Sequence, residues 1–391
     1  MTLWWCIVIR SLVLWLPFLL FCSCAYTPAP MQAYFAPREK MVISDPFSKI
    51  AWIKNQDPLY ESGNLPIALN SPLIHQDMVF VGQNTGVMEA FELKNGRLVW
   101  RIQDKGTFHG APQVMDDLVI YGTTEGRVFA RGWATGELRY EVDLGASIES
   151  PATIHSGRAL FHLRNHKIVC LDARTGKILW AYQRSVPYLN TLQGVSRPIV
   201  HGKRVFVGMA DGNIVALDLN EGSAVWERKL TTASKFVDVD AEALIVNDSL
   251  LIGPKSGQLY LLNPSAGQIL RTFDYGLAHA PLKDNGGILV PTTDGQIVKF
   301  DSSWKEIHKI KICETSLSSL KIWKGHVVAS DVKGQIYLID RDLKKVLKTH
   351  QFGHAYSAVF GEMEVKGDYL LVLSSRNRLY AFNWPGAGLV Q

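Results

Sequence analysis

A motif that returns about every 40 residues constrains this chain more than anything else in it. GVMEAFELKNGRLVW ends at Trp100, GRVFARGWATGELRY at Tyr140, HKIVCLDARTGKILW at Trp180 and GNIVALDLNEGSAVW at Trp226. Weaker copies begin GQLYLLNPSAGQIL at Gly257, GQIVKFDSSW at Gly295, GQIYLIDRDL at Gly334 and NRLYAFNWPG at Asn377. The position held by aspartate in the clearest copies falls at Glu92, Gly132, Asp172, Asp218, Asn263, Asp301, Asp340 and Asn383, which makes eight units. Each unit has the same grammar: a run such as RVFVG, a turn such as Asp211-Gly212, a second run such as NIVALD, a glycine-closed turn, and a third run ending in Trp. Glycine supplies the positive φ that tight hairpins need, and a further apolar run before each RVFVG-type segment makes the unit a four-stranded antiparallel sheet. Such a sheet has two apolar faces and gains stability only by stacking on the sheets either side. Eight of them close a circle that leaves only short, protected edges. The expected fold is therefore all-β, an eight-bladed β-propeller of four-stranded antiparallel blades.

The eighth copy runs out after NRLYAFNW, with too little chain left for its outer strand. SKIAWIKN, around Trp52, has the composition to supply it, so the ring is expected to be closed by an N-terminal strand and residues 48–391 to form one domain. The Trp that recurs at a fixed distance after Gly96, Gly176 and Gly222 reads as a packing residue between sheets.

Residues 1–24 carry one cation, Arg10, ahead of an apolar run from Leu12 to Phe21, too short to span a bilayer and fit for the core of a secretory signal. An uncleaved anchor that also takes in residues 3–9 is the alternative, with Arg10 in its middle against it. FCSC followed by Ala25 resembles a bacterial lipoprotein processing site, in which Cys24 becomes the lipidated N-terminus; Phe21 and Cys22 depart from the aliphatic and small residues usual there. Residues 25–47, with Pro28, Pro30 and Pro37, have no period and are expected to be a flexible tether. Only Cys170 and Cys313 remain in the body, so no disulfide framework is expected.

Hydrophobic residues make up 47% of the chain, which excludes a disordered polymer. The net charge of +5 comes from 41 basic and 36 acidic residues without basic runs, so nucleic acid is not an expected partner. HExxH, G-x-S-x-G, a glycine-rich phosphate loop and adjacent cysteines are all missing, and neither catalytic residues nor a cofactor is expected. His109, His279 and His354 hold equivalent places before the first strands of blades two, six and eight. Blades two and six stand opposite one another, so the three imidazoles are expected to be structural or solvated and no metal site is assigned.

Loop length singles out one region. From the Trp position of one blade to the first strand of the next, Trp100 to Pro112 takes 12 residues, Tyr140 to Pro151 takes 11 and Arg271 to Pro281 takes 10. Trp180 to Pro198 takes 18 and Trp226 to Ala243 takes 17, on successive blades and the same rim. Long loops on a rigid scaffold are where binding concentrates, and two leucines beside two carboxylates suit a protein partner.

The run VALDLNEGSAVW resembles the repeat of the pyrroloquinoline-quinone dehydrogenases and their non-enzymatic relatives. VPYLNTLQG, Val186–Gly194, and FVDVDAEA, Phe236–Ala243, look like two loops of the lipoprotein scaffolds in the machinery that assembles β-barrels into the outer membrane of Gram-negative bacteria. That resemblance implies a lipid-anchored protein on the periplasmic face of the outer membrane. It also implies contact with the periplasmic domains of the barrel-inserting subunit through Leu189, Leu192, Gln193, Asp238 and Asp240, with nascent outer-membrane proteins as a second class of partner. Gln193 stands where an arginine is common, which removes a charge from that side of the contact. Two other readings stay open: a different envelope adaptor or sensor, and a quinone-dependent dehydrogenase.

Overall fold

The computed structural model describes residues 49–56, 69–185, 195–231, 237–255, 257–352 and 357–384. Cys24, the tether, Leu189, Leu192, Gln193 and His354 lie outside these residues. The described strands form eight four-stranded sheets, each antiparallel throughout. Blade three shows the pattern, with Thr153–His155 innermost, then Arg158–His162, Lys167–Asp172 and Ile178–Gln183 outermost. Its aspartate builds the last turn: Asp172 Oδ1 accepts the backbone N–H groups of Arg174 and Thr175, which points the chain back into the outer strand.

The eighth blade closes as expected. Lys49–Asn55 pairs antiparallel with Arg378–Asn383, from Lys49 opposite Asn383 to Asn55 opposite Arg378, and supplies the outer strand of a sheet completed by Tyr369–Ser374 and Glu364–Lys366. The core is a set of slabs between neighbouring blades rather than one central mass. Between blades three and four, Leu160, Cys170 and Trp180 pack on Val205, Val215 and Leu217. Between blades eight and one, Trp52, Leu371 and Ala381 pack on Val79 and Phe91, so the seam is filled like any other interface.

A step in every outer strand explains the recurring Trp. A β-bulge sits just before the Trp position, at Val99 before Trp100 and at Leu179 before Trp180. The ring is thereby aimed at the next blade. Trp52 Nε1 donates to Leu93 O at 2.8 Å, Trp100 to Trp133 O at 2.9 Å, Trp180 to Leu219 O at 2.9 Å and Trp226 to Pro264 O at 3.0 Å. The same ring leaves no room for a side chain on the turn it covers. A Cβ on Gly96 would lie 2.8 Å from the Trp52 ring and one on Gly176 2.6 Å from Tyr140, at positions that also hold positive φ. In the weaker copies the bond survives a change of residue: Arg271 Nη1 reaches Trp304 O at 2.9 Å, and His308 Nε2 lies 3.0 Å from Leu343 O.

Candidate partner-binding face

Strand direction alternates within a blade, so the connections into the innermost strands share one face with the turns between second and third strands. Both long connections open on that face, and each is tied to the scaffold at its roots. Arg184, just past the outer strand Ile178–Gln183, grips the Glu227 carboxylate of blade four at 2.6 and 2.7 Å and donates to Asp211 at 2.9 Å. At the far root, Ser196 Oγ donates to Gly208 O at 2.9 Å, and its carbonyl lies 3.0 Å from His162 Nδ1. Burial pushes the His162 ring down to about 4, so it is neutral at physiological pH.

The second connection is sewn onto blade four. Leu230 N–H donates to Gly212 O and Val239 N–H to Met209 O, while Val237, Val239 and Ala241 are buried. This changes the reading of its carboxylates. Asp238 is only 3% exposed and turns into the protein, not outward from the rim. Asp240 is engaged by the chain's own Lys255, Oδ2 to Nζ at 2.7 Å, and faces the mouth of the central channel. Period and loop length carry no information on which carboxylate points inward.

That mouth is a cavity of about 320 Å³ to which seven of the eight blades contribute. Charged groups bridge it between blades that are not neighbours. Arg197, leading into blade four, donates to Gln113 Oε1 of blade two at 2.9 Å and lies 3.9 Å from Glu242 of blade five. Glu362 of blade eight meets Lys321 of blade seven at 2.6 Å and His279 of blade six at 3.9 Å. Burial by itself would raise the Glu362 carboxyl, but Lys321, His279 and Arg197 outweigh it and bring it down to about 2. For Glu242, burial outweighs the attraction of Arg197 and leaves the carboxyl raised. His109 and His279 both line the cavity, from opposite sides of the ring, and burial lowers both rings. Among the described residues no group of three or more His, Cys, Asp or Glu is placed to hold a metal ion. Arg184, Arg197, Lys321 and Glu362 were not singled out from sequence; each is a single charged residue within or beside a strand, with no motif to mark it.

A family model described as outer membrane protein assembly factor BamB matches residues 84–311. Among curated relatives, outer membrane protein assembly factor BamB of Shewanella oneidensis is 23% identical over 318 residues, 79% of this chain and 70% of that protein. Its counterpart in Yersinia pestis is 21% identical over 323 residues, 78% of this chain and 81% of that protein. Of solved structures, BamB from Moraxella catarrhalis superposes with a TM-score of 0.72 at 19% identity, over 86% of this chain and 99% of that one. A quinohemoprotein alcohol dehydrogenase from Pseudomonas putida superposes at 0.67 with 13% identity, over 88% and 77%. At these identities the superpositions speak for the propeller fold and for nothing finer.

Proposed function

This chain belongs to the family of outer membrane protein assembly factor BamB, and from that premise we propose that it is a non-catalytic scaffold subunit of the outer-membrane β-barrel assembly (BAM) complex. It binds the periplasmic domains of the barrel-inserting subunit through the face that carries the two long connections, and a lipid on Cys24 with the tether of residues 25–47 holds it on the periplasmic side of the outer membrane. One observation carries the choice of face. The connections after Trp180 and Trp226 leave neighbouring blades on one face, and their roots are pinned by Arg184, Ser196, Leu230 and Val239. A loop rooted in this way loses less conformational freedom on binding than a free one. Leu189 and Leu192 are the apolar anchors and Asp240 the charge that selects register, while Gln193 contributes no charge. The quinone-dehydrogenase reading has only the shared fold in its favour.

The test measures binding of the full chain to the periplasmic part of the barrel-inserting subunit. Leu192→Glu should weaken it by about 1–3 kcal/mol, the cost of losing one anchor, and Asp240→Ala by less. Asp238→Ala belongs to a different class. Because this residue is buried, the substitution should lower the melting transition, by about 1–3 kcal/mol of stability. Unchanged affinity in folded Leu192→Glu and Asp240→Ala variants would remove the long connections from the interface.

A further inference from the structure

We propose that the cavity at the channel mouth binds a guanidinium or ammonium group presented on an extended protein segment. Three buried polar atoms from three different blades line this cavity without a hydrogen-bond partner: His109 Nδ1, Ser150 Oγ and Asp240 Oδ1. Ser150 is 6% exposed and the Asp240 side chain 10%, so bulk water does not satisfy them. Folded proteins rarely leave such atoms unpaired, and a carboxylate oxygen and a hydroxyl facing one cavity ask for a donor.

The charge of the lining says which kind of donor. Of the carboxylates that face the cavity, Glu149, Asp240 and Glu362 are paired at 2.6–2.7 Å with Arg164, Lys255 and Lys321, while Glu242 has Arg197 only at 3.9 Å, so Glu242 and the unpartnered Oδ1 of Asp240 are the groups that can still take a cation. Burial of Glu242 raises its pKa, as expected of a carboxylate short of positive charge. At about 320 Å³ the space lies at the small end of ligand pockets, which run from roughly 300 to 1,000 Å³, and it suits a side chain better than a large cofactor.

The rim indicates how that group arrives. Leu69 and Phe360, 41% and 37% exposed, form an apolar lip on blades one and eight. Lysine and arginine lay their methylene stems on such surfaces while the charged head reaches a polar partner, and an aromatic face adds attraction for the cation. The mouth opens on the same face as the long connections. A segment lying over that face can put one basic side chain into the cavity.

The experiment titrates the full chain, free of other envelope proteins, with the blocked peptide acetyl-Gly-Arg-Gly-amide and with its lysine, norleucine and glutamate counterparts. Binding is followed by calorimetry and by the ring resonances of His109. The arginine and lysine peptides should saturate one site and shift His109, while the other two should not. Asp240→Asn keeps the shape and removes the charge, and should weaken binding at least tenfold. Ser150→Ala leaves the Asp240–Lys255 pair in place and should weaken it about threefold. Lys255→Met removes a competing cation and should strengthen it at least threefold, a direction that simple loss of structure does not produce. A flat titration would mean that water alone fills the cavity, and binding indifferent to all three substitutions would place the peptide elsewhere; either result overturns the proposal. No assembly subunit takes part, so the outcome is independent of whether the long connections dock one.

Discussion

His162 shows what burial does to a single titratable group in this protein. Its side chain is fully enclosed, with Nδ1 on the Ser196 carbonyl and its ring centroid 6.5 Å from that of His166. Its folded pKa, about 4, lies below the value of about 6.5 that an unfolded chain gives it. Between those values the unfolded state takes up the proton and the folded state does not. Stability is therefore full above about pH 6.5 and falls as the pH drops towards 4, by roughly 2 kcal/mol at pH 5 from this group alone. Melting curves recorded from pH 7 to pH 5 should move to lower temperature, and His162→Phe should reduce that dependence while lowering stability at pH 7 through the lost bond to Ser196. An unchanged pH dependence in the variant would show that the ring titrates normally. The turn glycines are constrained in a different way: Gly96 and Gly176 are required less by the turn alone than by the aromatic ring that the preceding blade lays over it.

Among the elements, the closing strand Lys49–Asn55 has the most distinctive task, since it holds together two ends of the chain. It pairs with the last strand and is followed by Gln56, whose N–H donates to Asn377 O and whose Nε2 donates to Glu89 of blade one. Glu89 is almost wholly buried and also accepts from Gln83 and Arg101, both at 2.7 Å. One carboxylate thus joins the closing strand to the first blade. Glu89→Ala should strand three donors and cost about 2–4 kcal/mol. The loss should be local. Amide exchange of residues 50–55 should accelerate far more than that of the strand Lys167–Asp172 on the other side of the ring, and uniform acceleration would show that Glu89 does not fasten the seam.

For the whole molecule, each blade is stabilised by its two neighbours, and the channel mouth adds contacts that cross the ring. Arg197 reaches blade two from blade four, and Glu362 joins blades six, seven and eight. These bridges add to the resistance that the interfaces between neighbouring blades give to an opening of the circle. Lys321 and Glu362 are each about a quarter to a third exposed, so solvent screens their attraction in part. Glu362→Gln should cost about 1–3 kcal/mol, chiefly by leaving Lys321 poorly paired. Adding Lys321→Met should recover part of that loss. Chemical denaturation of the four proteins in the cycle measures the coupling, which should exceed about 0.5 kcal/mol; additive effects would show that the pair does not act as a unit.

The count of blades, the strands within them and the closing segment were all legible in the sequence, because hairpin turns and two-residue alternation are local chemistry that each copy states for itself. Even the weak copies around Asn263, Asp301 and Asp340 kept the turn residues that mark a strand's end. The two long connections on which the proposed binding face rests were legible too, since the 18 and 17 residues after Trp180 and Trp226 exceed the 12, 11 and 10 after Trp100, Tyr140 and Arg271. What local pattern does not contain is where a connection's polar side chains point once the ring has closed. Asp238 and Asp240 are two residues apart in one motif, yet one is buried beneath the rim and the other faces the channel beside Lys255. His109 and His279 were expected to stand apart; they do lie on opposite sides, but across a cavity small enough for both to line it. Arg184, Arg197 and Glu362 draw their roles from partners on other blades. Distances across the ring depend on the curvature set by all eight interfaces together, and only the closed tertiary structure decides them.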